Sequence, residues 1–366
     1  MYSIIGGGPA GSYTAYLLAK EGYKVDLFEE HKEIGRPIQC TGIMTFYIDN
    51  ILKGINLSHE DFLTNTITKT KVFAPDNSSV EISLKKNYIV DRALFDKYLT
   101  DLALSAGAKI HLGKRFTEGR TAGNKIKFKV NNDIITTDRL IGADGPFSQV
   151  AKSFSMYGKR KFALGAQARM KMENKIDPEV VEFFLGEGYF GWLVPEDEKT
   201  ARVGIASNDR AKYYFDKLIK LRPGKIVEWQ SGPIPVYNPR LETEKNNVML
   251  IGDAATQVKA TTYGGIIPSL IAAEQLAKAE KENKSYHSLW KKKIGKELWL
   301  HLAMRKTLDR FSDKSCNRLI KLTNQSRITK ILTEHDREFP SKILARMLVS
   351  EPRYLSFFPS MLASLK

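Results

Sequence analysis

The chain opens on an apolar run at residues 2–5 that breaks into three consecutive glycines, Gly6-Gly7-Gly8. Residues 9–21 then place Ala10, Tyr13, Ala15, Leu17 and Leu18 at spacings compatible with a helix packed on a sheet. Gly22 ends that helix, and Lys24-Val25-Asp26-Leu27-Phe28 reads as the next strand. From about 66 to 90 the pattern changes to short alternating segments, Lys71-Val72-Phe73-Ala74 and Val80-Glu81-Ile82-Ser83-Leu84, which suggest antiparallel strands of a second domain. A helix is predicted over 91–106, with Leu94, Phe95, Tyr98, Leu99 and Leu102 on one face. Strands are predicted at 109–112, 125–130 and 139–141, and 162–208 is strand-like again. Residues 247–251 form a buried strand feeding Gly252-Asp253, and helices run from about 267 onward. No repeat, low-complexity tract or obvious linker interrupts the chain, so two domains are expected to interleave.

Composition narrows the classes. With 366 residues and 42% hydrophobic content the chain can fill the core of two domains. Two cysteines, Cys40 and Cys316, are too few for a disulfide framework and fit a reducing compartment. The first strand begins at once, which leaves no room for a leader, and no apolar run approaches the roughly 20 residues that span a bilayer. The expectation is a cytoplasmic protein. Net charge is +16, and between Lys284 and Arg346 sixteen Lys and Arg face six Asp and Glu. Such a basic helical end can face solvent, anionic lipid or nucleic acid. No recognition module supports nucleic acid. The six histidines have no ligand spacing, so no metal site is expected.

The chemistry concentrates in three places. Gly6-Gly7-Gly8-Pro9-Ala10-Gly11 matches G-x-G-x-x-G between a strand and a helix, and Glu29 ends the second strand. Gly6 permits the tight turn, Gly8 lets the backbone approach a pyrophosphate, and Gly11 lets helix and strand pack closely. Glu29 then lies where a carboxylate accepts from ribose hydroxyls. A second match, Gly186-Glu187-Gly188-Tyr189-Phe190-Gly191, leads into a strand ending at Pro195, so it is discounted and one dinucleotide site remains.

Leu140-Ile141-Gly142-Ala143-Asp144-Gly145-Pro146-Phe147-Ser148 resembles the A-D-G-x-x-S segment of the para-hydroxybenzoate hydroxylase superfamily of flavoproteins. Val248-Met249-Leu250-Ile251-Gly252-Asp253 resembles their G-D motif, and Gly264-Gly265-Ile266 opens a helix after it. Within that superfamily the chain is most similar to the geranylgeranyl reductase family, over almost its whole length. Pro37-Ile38-Gln39-Cys40-Thr41-Gly42 resembles that family's P-x-x-C-x-G. Phe190-Gly191-Trp192-Leu193-Val194-Pro195 with Val203-Gly204 resembles its Y-x-W-x-F-P…V-G stretch.

The resemblance implies an α/β fold in which a Rossmann-like FAD-binding domain (1–65, 92–155 and 247–285) interleaves with an antiparallel-sheet substrate domain (66–91 and 156–246). A C-terminal helical region over 286–366 follows. It implies FAD contacts at Gly6, Gly8, Ala10, Gly11, Glu29, Cys40, Thr41, Arg92, Phe116, Asp253, Gly265 and Ile266. The lipid pocket would be walled by Phe190, Trp192, Pro195 and Tyr263. Ala260 and Tyr263 depart from the family, standing where proline and glycine are usual.

The reaction expected is saturation of C=C bonds in geranylgeranyl chains, with Cys40 as candidate proton donor beside its plainer reading as a small buried hydrophobe. The partners expected are an isoprenoid lipid, an electron donor (NAD(P)H or a ferredoxin-like carrier) and an anionic membrane surface to which the protein is peripheral. Two other readings stay open: an FAD-dependent monooxygenase or halogenase, and a lipid-binding protein on a degenerate flavin fold.

Overall fold

The computed structural model describes residues 1–55 and 58–357. Positions 358–366 of the expected C-terminal region, and 56 and 57 of the first segment, lie outside the described residues. Tyr2–Ile5 stands at the centre of a six-stranded sheet. Val25–Phe28 pairs parallel on one side, with Lys109–His111 beyond it. Arg139–Gly142 and then Val248–Leu250 continue the parallel pairing on the other side, and Glu244–Lys245 adds an antiparallel edge. Both faces are covered, which is why these strands read as apolar runs without alternation. Ile4, Leu27, Ile141 and Met249 pack under the helices Pro9–Lys20, Arg92–Ser105 and Ile266–Glu282. Ile5, Phe28, Leu140 and Leu250 face a three-stranded meander, Phe116–Ala122, Lys125–Val130 and Asp133–Thr137.

The helix expected over 91–106 forms at Arg92–Ser105, its start set by the Asp91 carboxylate, which accepts from the amides of Ala93 and Leu94 at 2.8 and 3.1 Å. Phe95, Tyr98, Leu99 and Leu102 of the expected face pack on the core, joined by buried Asp96, Thr100 and Ala103, whereas Leu94 is exposed.

A second, eight-stranded sheet runs in the order Gly224–Pro235, Phe162–Met172, Thr200–Ser207, Tyr189–Pro195, Val180–Gly186, Leu63–Phe73, Ser79–Val90 and Ile43–Met44. It is antiparallel except where Val180–Gly186 meets Leu63–Phe73. The segments 71–74 and 80–84 fall on two long antiparallel strands, Leu63–Phe73 and Ser79–Val90, with Ala74 in the turn between them. The discounted glycine motif is a hairpin: Gly186 pairs with Tyr189, and the chain turns at Glu187-Gly188. The sequence reading did not anticipate the helix Ala211–Leu221 or the edge strand Gly224–Pro235. Tyr214, Phe215 and Leu218 fix that helix on the outer face of the sheet.

The C-terminal region splits. Residues 286–308 form one nearly continuous helix whose Tyr286, Trp290, Ile294, Leu298 and Leu302 complete the core of the six-stranded domain. Beyond it, Ile320 of Asp313–Thr323 packs with Ala74, Val80 and Ile82 of the large sheet. Among the described residues no helix is long and apolar enough to cross a membrane.

Trp290 is fully buried, and its Nε1 donates to Thr243 Oγ1 at 2.8 Å. Trp290→Ala is expected to lower unfolding free energy by about 3–5 kcal/mol. Urea denaturation followed by circular dichroism checks this. A loss below about 1 kcal/mol would show that the helix is an appendage rather than part of the core.

Candidate functional site

In a parallel sheet the carboxyl ends of the strands point the same way, and ligands bind outside that edge. Here four adjacent strands end in the segments singled out above. Tyr2–Ile5 ends at Gly6, Val25–Phe28 at Glu29, Arg139–Gly142 at Ala143-Asp144, and Val248–Leu250 leads to Gly252-Asp253. The edge opens into a cleft of about 850 Å3, lined by Gly6, Gly7, Gly8, Glu29, Arg92, Phe116 and Asp144 among others.

The glycines are explained by distance. A Cβ on Gly11 would lie 1.9 Å from the Gly6 carbonyl oxygen, and one on Gly6 would lie 2.4 Å from the Ala143 carbonyl oxygen. Gly11 is therefore buried behind the cleft, whereas Gly8 faces open space at the start of the helix Pro9–Lys20. That helix start has no side-chain cap and no acid in its first turn. Its free amides and positive end suit a phosphate.

Glu29 lines the cleft, but its carboxylate also serves the fold. Oε2 accepts from the Gly7 amide at 2.6 Å, and Oε1 accepts from the His31 amide at 2.9 Å and lies 2.6 Å from His31 Nδ1. Asp144 is a local knot rather than a free acid. Ser148 Oγ donates to its Oδ1 at 2.5 Å and the Val150 amide to its Oδ2 at 3.0 Å, while Ser148 caps the short helix that follows. Arg160, which the sequence reading missed, ties this motif to the next. It donates to the carbonyls of Pro146 at 3.2 Å and Ala254 at 2.7 Å.

The first cleft runs into a second of about 360 Å3, lined by Ala10, Cys40, Thr41, Arg92, Asp253, Tyr263, Gly265 and Ile266, with Phe190 and Trp192 opposite. The structure thus brings most of the expected site residues together around two adjoining clefts that share Gly8, Arg92, Gly145 and Pro146. Pro195 lines neither of them. Side chains alternate along a strand, so Phe190, Trp192 and Val194 face the cleft and Pro195 falls on the other side; Val194 lines the wall at that end. Trp192 pairs across the strands with Gly204, and a Cβ there would meet its ring at 2.6 Å. Only glycine lets the indole lie flat against the neighbouring strand.

The indole is also held by a polar pair that the sequence reading missed. Trp192 Nε1 donates to Gln167 Oε1 at 2.8 Å, and Gln167 Nε2 donates to Gln230. Both glutamines are buried and line the cleft.

Cys40 is held from two sides. Its Sγ accepts from the Gly42 amide at 3.3 Å. Arg202, from the strand Thr200–Ser207, donates to the carbonyls of Cys40 at 3.2 Å and Thr41 at 2.9 Å. The Arg202 charge is balanced by Glu196 at 2.8 Å, which also pairs with Arg169 at 2.7 Å. Arg92 forms a forked pair with Asp96 across one helical turn at 3.0–3.1 Å. Both cysteines are free, and among the described residues no group of three acids, histidines or cysteines could hold a metal ion.

Asp253 differs from the other acids of the site. Among the described residues no donor reaches its carboxylate, and burial pushes it up to about 6 against the pull of Arg92 and Arg160. A deep carboxylate without a donor, an open helix N-terminus and a flat cleft between them fit an elongated dinucleotide. A cofactor with hydroxyl groups at mid-length would give Asp253 its partners.

Comparison with known proteins agrees. Residues 4–41 match the NAD(P)-binding Rossmann-like domain. The chain is 30% identical to the digeranylgeranylglycerophospholipid reductase of Methanocaldococcus jannaschii, over 98% of this chain and 97% of that one. It is also 30% identical to digeranylgeranylglycerophospholipid reductase 2 of Methanothermobacter thermautotrophicus, over 93% and 97%. A geranylgeranyl bacteriochlorophyll reductase-like protein of Thermoplasma acidophilum shares the fold with a TM-score of 0.84 at 23% identity, covering 98% of both chains. The flavin-dependent halogenase CmlS shares it at 0.69 and 17%, over 97% of this chain and 77% of that one.

The ordinary value of Asp253, 3.8, holds in the unfolded chain. Between about pH 4 and 6 the folded state therefore binds more protons, and stability falls as pH rises through that window. In the cofactor-free protein, Asp253→Asn is expected to melt higher than the parent at pH 7 to 8. The gap should close as pH falls towards 4. A gap independent of pH in thermal melts would show that the carboxylate is solvated.

Proposed function

The chain belongs to the digeranylgeranylglycerophospholipid reductase family, and on that premise we propose that it saturates C=C bonds in the isoprenoid chains of a glycerophospholipid, with FAD as cofactor. The observation that carries this reading is the adjacency of the two clefts: the one at the glycine-rich strand edge shares Gly8, Arg92, Gly145 and Pro146 with a second that holds the apolar group Phe183, Phe190, Trp192, Val194 and Ile234.

Gly8 and the helix start at Pro9 would hold the pyrophosphate, and Glu29 the ribose once His31 turns aside. Asp253 would accept from the central hydroxyls of the cofactor. The amides of Gly265 and Ile266, at the start of the helix Ile266–Glu282, would stabilise negative charge on the ring. When bound, the reduced cofactor supplies the electron pair and one hydrogen of the addition.

The protein must then supply a proton to the other carbon. An isolated trisubstituted alkene is not electron-poor, so the proton has to arrive in the same transition state. Cys40 is the candidate donor. Its thiol lines the cleft, and Gly42 and Arg202 hold its backbone and sulfur in place. Trp192, locked by Gln167 and Gly204, keeps water from the wall opposite. With one nucleotide cleft, the electron donor, NAD(P)H or a small electron carrier, would engage only transiently. A lipid substrate would be met at an anionic membrane surface, where the net charge of +16 favours contact.

Anaerobic reduction of the FAD-loaded protein, followed by geranylgeranyl phospholipid, tests the reading. The visible spectrum should return to the oxidised form as mass spectrometry finds the lipid heavier by hydrogen pairs. A cofactor that stays reduced until oxygen is admitted would shift the assignment to the oxygen-using flavoproteins. A protein that takes up no FAD would leave only lipid binding. Cys40→Ala is expected to lower turnover by about 100-fold or more with FAD affinity retained. Unchanged turnover would remove Cys40 as donor.

A further inference from the structure

One end of the second cleft is built from residues that the reduction as described does not use. Lys259 and Arg337 line it beside Thr262 and Tyr263. Lys259 is 6% exposed, lies over Gly264, and forms an ion pair with the buried carboxylate of Glu338. Lysine and glutamate therefore cancel each other.

Arg337 is attracted by the carboxylates of Glu338 and Asp336 but makes no direct ion pair with either. Its neighbour Glu338 is taken by Lys259, and Asp336 on the other side turns its Oδ1 to the Glu338 amide at 2.9 Å. Among the described residues no hydrogen bond or ion pair reaches the Arg337 guanidinium. His301, close behind, adds no charge. Its Nδ1 lies 2.7 Å from Thr261 Oγ1, and burial beside Lys259 lowers it to about 3.

A guanidinium drawn partly out of water with its N–H groups unbonded is unfavourable until an acceptor completes it. Burial acts on Arg337 in that direction, lowering its pKa. The same cleft carries an apolar group, Phe183, Phe190, Trp192, Val194 and Ile234, beside polar lining that includes Gln167, Gln230 and Thr41. A pocket that combines such an apolar group with a guanidinium free to donate is complementary to an amphiphile with an anionic group.

We infer that Arg337, backed by the Lys259–Glu338 pair, forms an anion subsite that takes the phosphate of the prenyl lipid. This rests on the lipid reading above and adds the residue that recognises the head group. The planar fork of arginine can bind two phosphate oxygens at once. Lys259, already paired, holds the floor of the subsite in place. The subsite would also set the register of the chain, since a fixed phosphate limits which double bond reaches the reacting end.

The test is equilibrium binding to the FAD-loaded protein, comparing geranylgeranyl phosphate with geranylgeraniol in the same detergent. The parent protein should prefer the phosphate by about 10- to 100-fold, the range expected of charge-assisted hydrogen bonds. Arg337→Gln should erase that preference, leave the affinity for the alcohol unchanged, and keep the flavin spectrum. Arg337→Lys should retain part of it. Inorganic phosphate should compete only weakly, because it lacks the tail. Several outcomes overturn the proposal. Equal binding of phosphate and alcohol by the parent would mean that no anion subsite exists. A preference that survives Arg337→Gln would put the subsite elsewhere, and tight binding of inorganic phosphate would make this a free-phosphate site. A shifted flavin midpoint potential in Arg337→Gln with the lipid preference intact would mean that the guanidinium serves the cofactor. If neither prenyl compound binds the parent, the lipid reading itself fails, which separates the two.

Discussion

The guanidinium of Arg202 leaves the middle of the eight-stranded sheet and donates to the carbonyls of Cys40 and Thr41, in the loop that follows the nucleotide-binding strands. Its charge is held by the buried carboxylate of Glu196, which Arg169 also engages from a more exposed position. Such a cluster adds little net stability over apolar packing, but losing one member leaves an uncompensated charge and is strongly destabilising. Its value here is positional. Arg202 and the Val90 amide, which donates to the Gly42 carbonyl at 3.0 Å, both fix this loop to the large sheet. Gly42 carries φ +72 and has the Val90 carbonyl and the Arg202 guanidinium against its Cα, so the loop can take this path only with glycine there. Cys40 is aimed at the cleft because of contacts made 160 residues away in sequence.

That distance explains which parts of the site could be read beforehand. The glycine-rich turn, Glu29, the A-D-G segment and Gly252-Asp253 sit at the ends of parallel strands, where local sequence dictates local geometry, and the sheet order brings them to one edge. The second glycine motif could be dismissed for the same reason, since the strand after it was visible. Arg160, Gln167, Arg202, Gln230 and Arg337 were not legible. Each acts on a partner set by the tertiary fold, and nothing near an arginine in sequence says which carbonyl it will reach. Pro195 was misplaced for a simpler reason. Strict alternation from Trp192 puts Val194, not Pro195, on the cleft face. The helix Ala211–Leu221 carries a clear apolar face in Tyr214, Phe215 and Leu218, a signal present in the sequence but passed over between two strand-like stretches.

The site is assembled from groups that the fold alone would not select. Among the described residues Asp253 lacks a donor, the Arg337 guanidinium lacks a direct acceptor, and the helix start at Pro9 lacks a side-chain cap. Each is unfavourable in the empty protein, and each faces the same space. Other acids are held: Asp91 caps a helix, Asp144 is doubly bonded, and Glu351 is gripped by Arg327 and Arg353. Polar groups left open along a cleft make it complementary to ligands that complete them.

Tyr263 sharpens that complementarity. It occupies the left-handed region at φ +57, which a residue with a Cβ enters at a cost of about 1–2 kcal/mol and where the family pattern has glycine. The Lys259–Gly264 bridge closes the loop around it, and the ring packs with Phe190, Trp192 and Val194. Burying an aromatic ring offsets a strain of that size. The consequence is steric. Glycine would leave the cleft open beside the cofactor-facing loop, whereas tyrosine fills it with a ring whose hydroxyl lies towards Arg305 and Asp309. The strained residue thus narrows the second cleft, which Phe190, Trp192, Gly265 and Ile266 also line, and the width of that space is set by a side chain that glycine would lack.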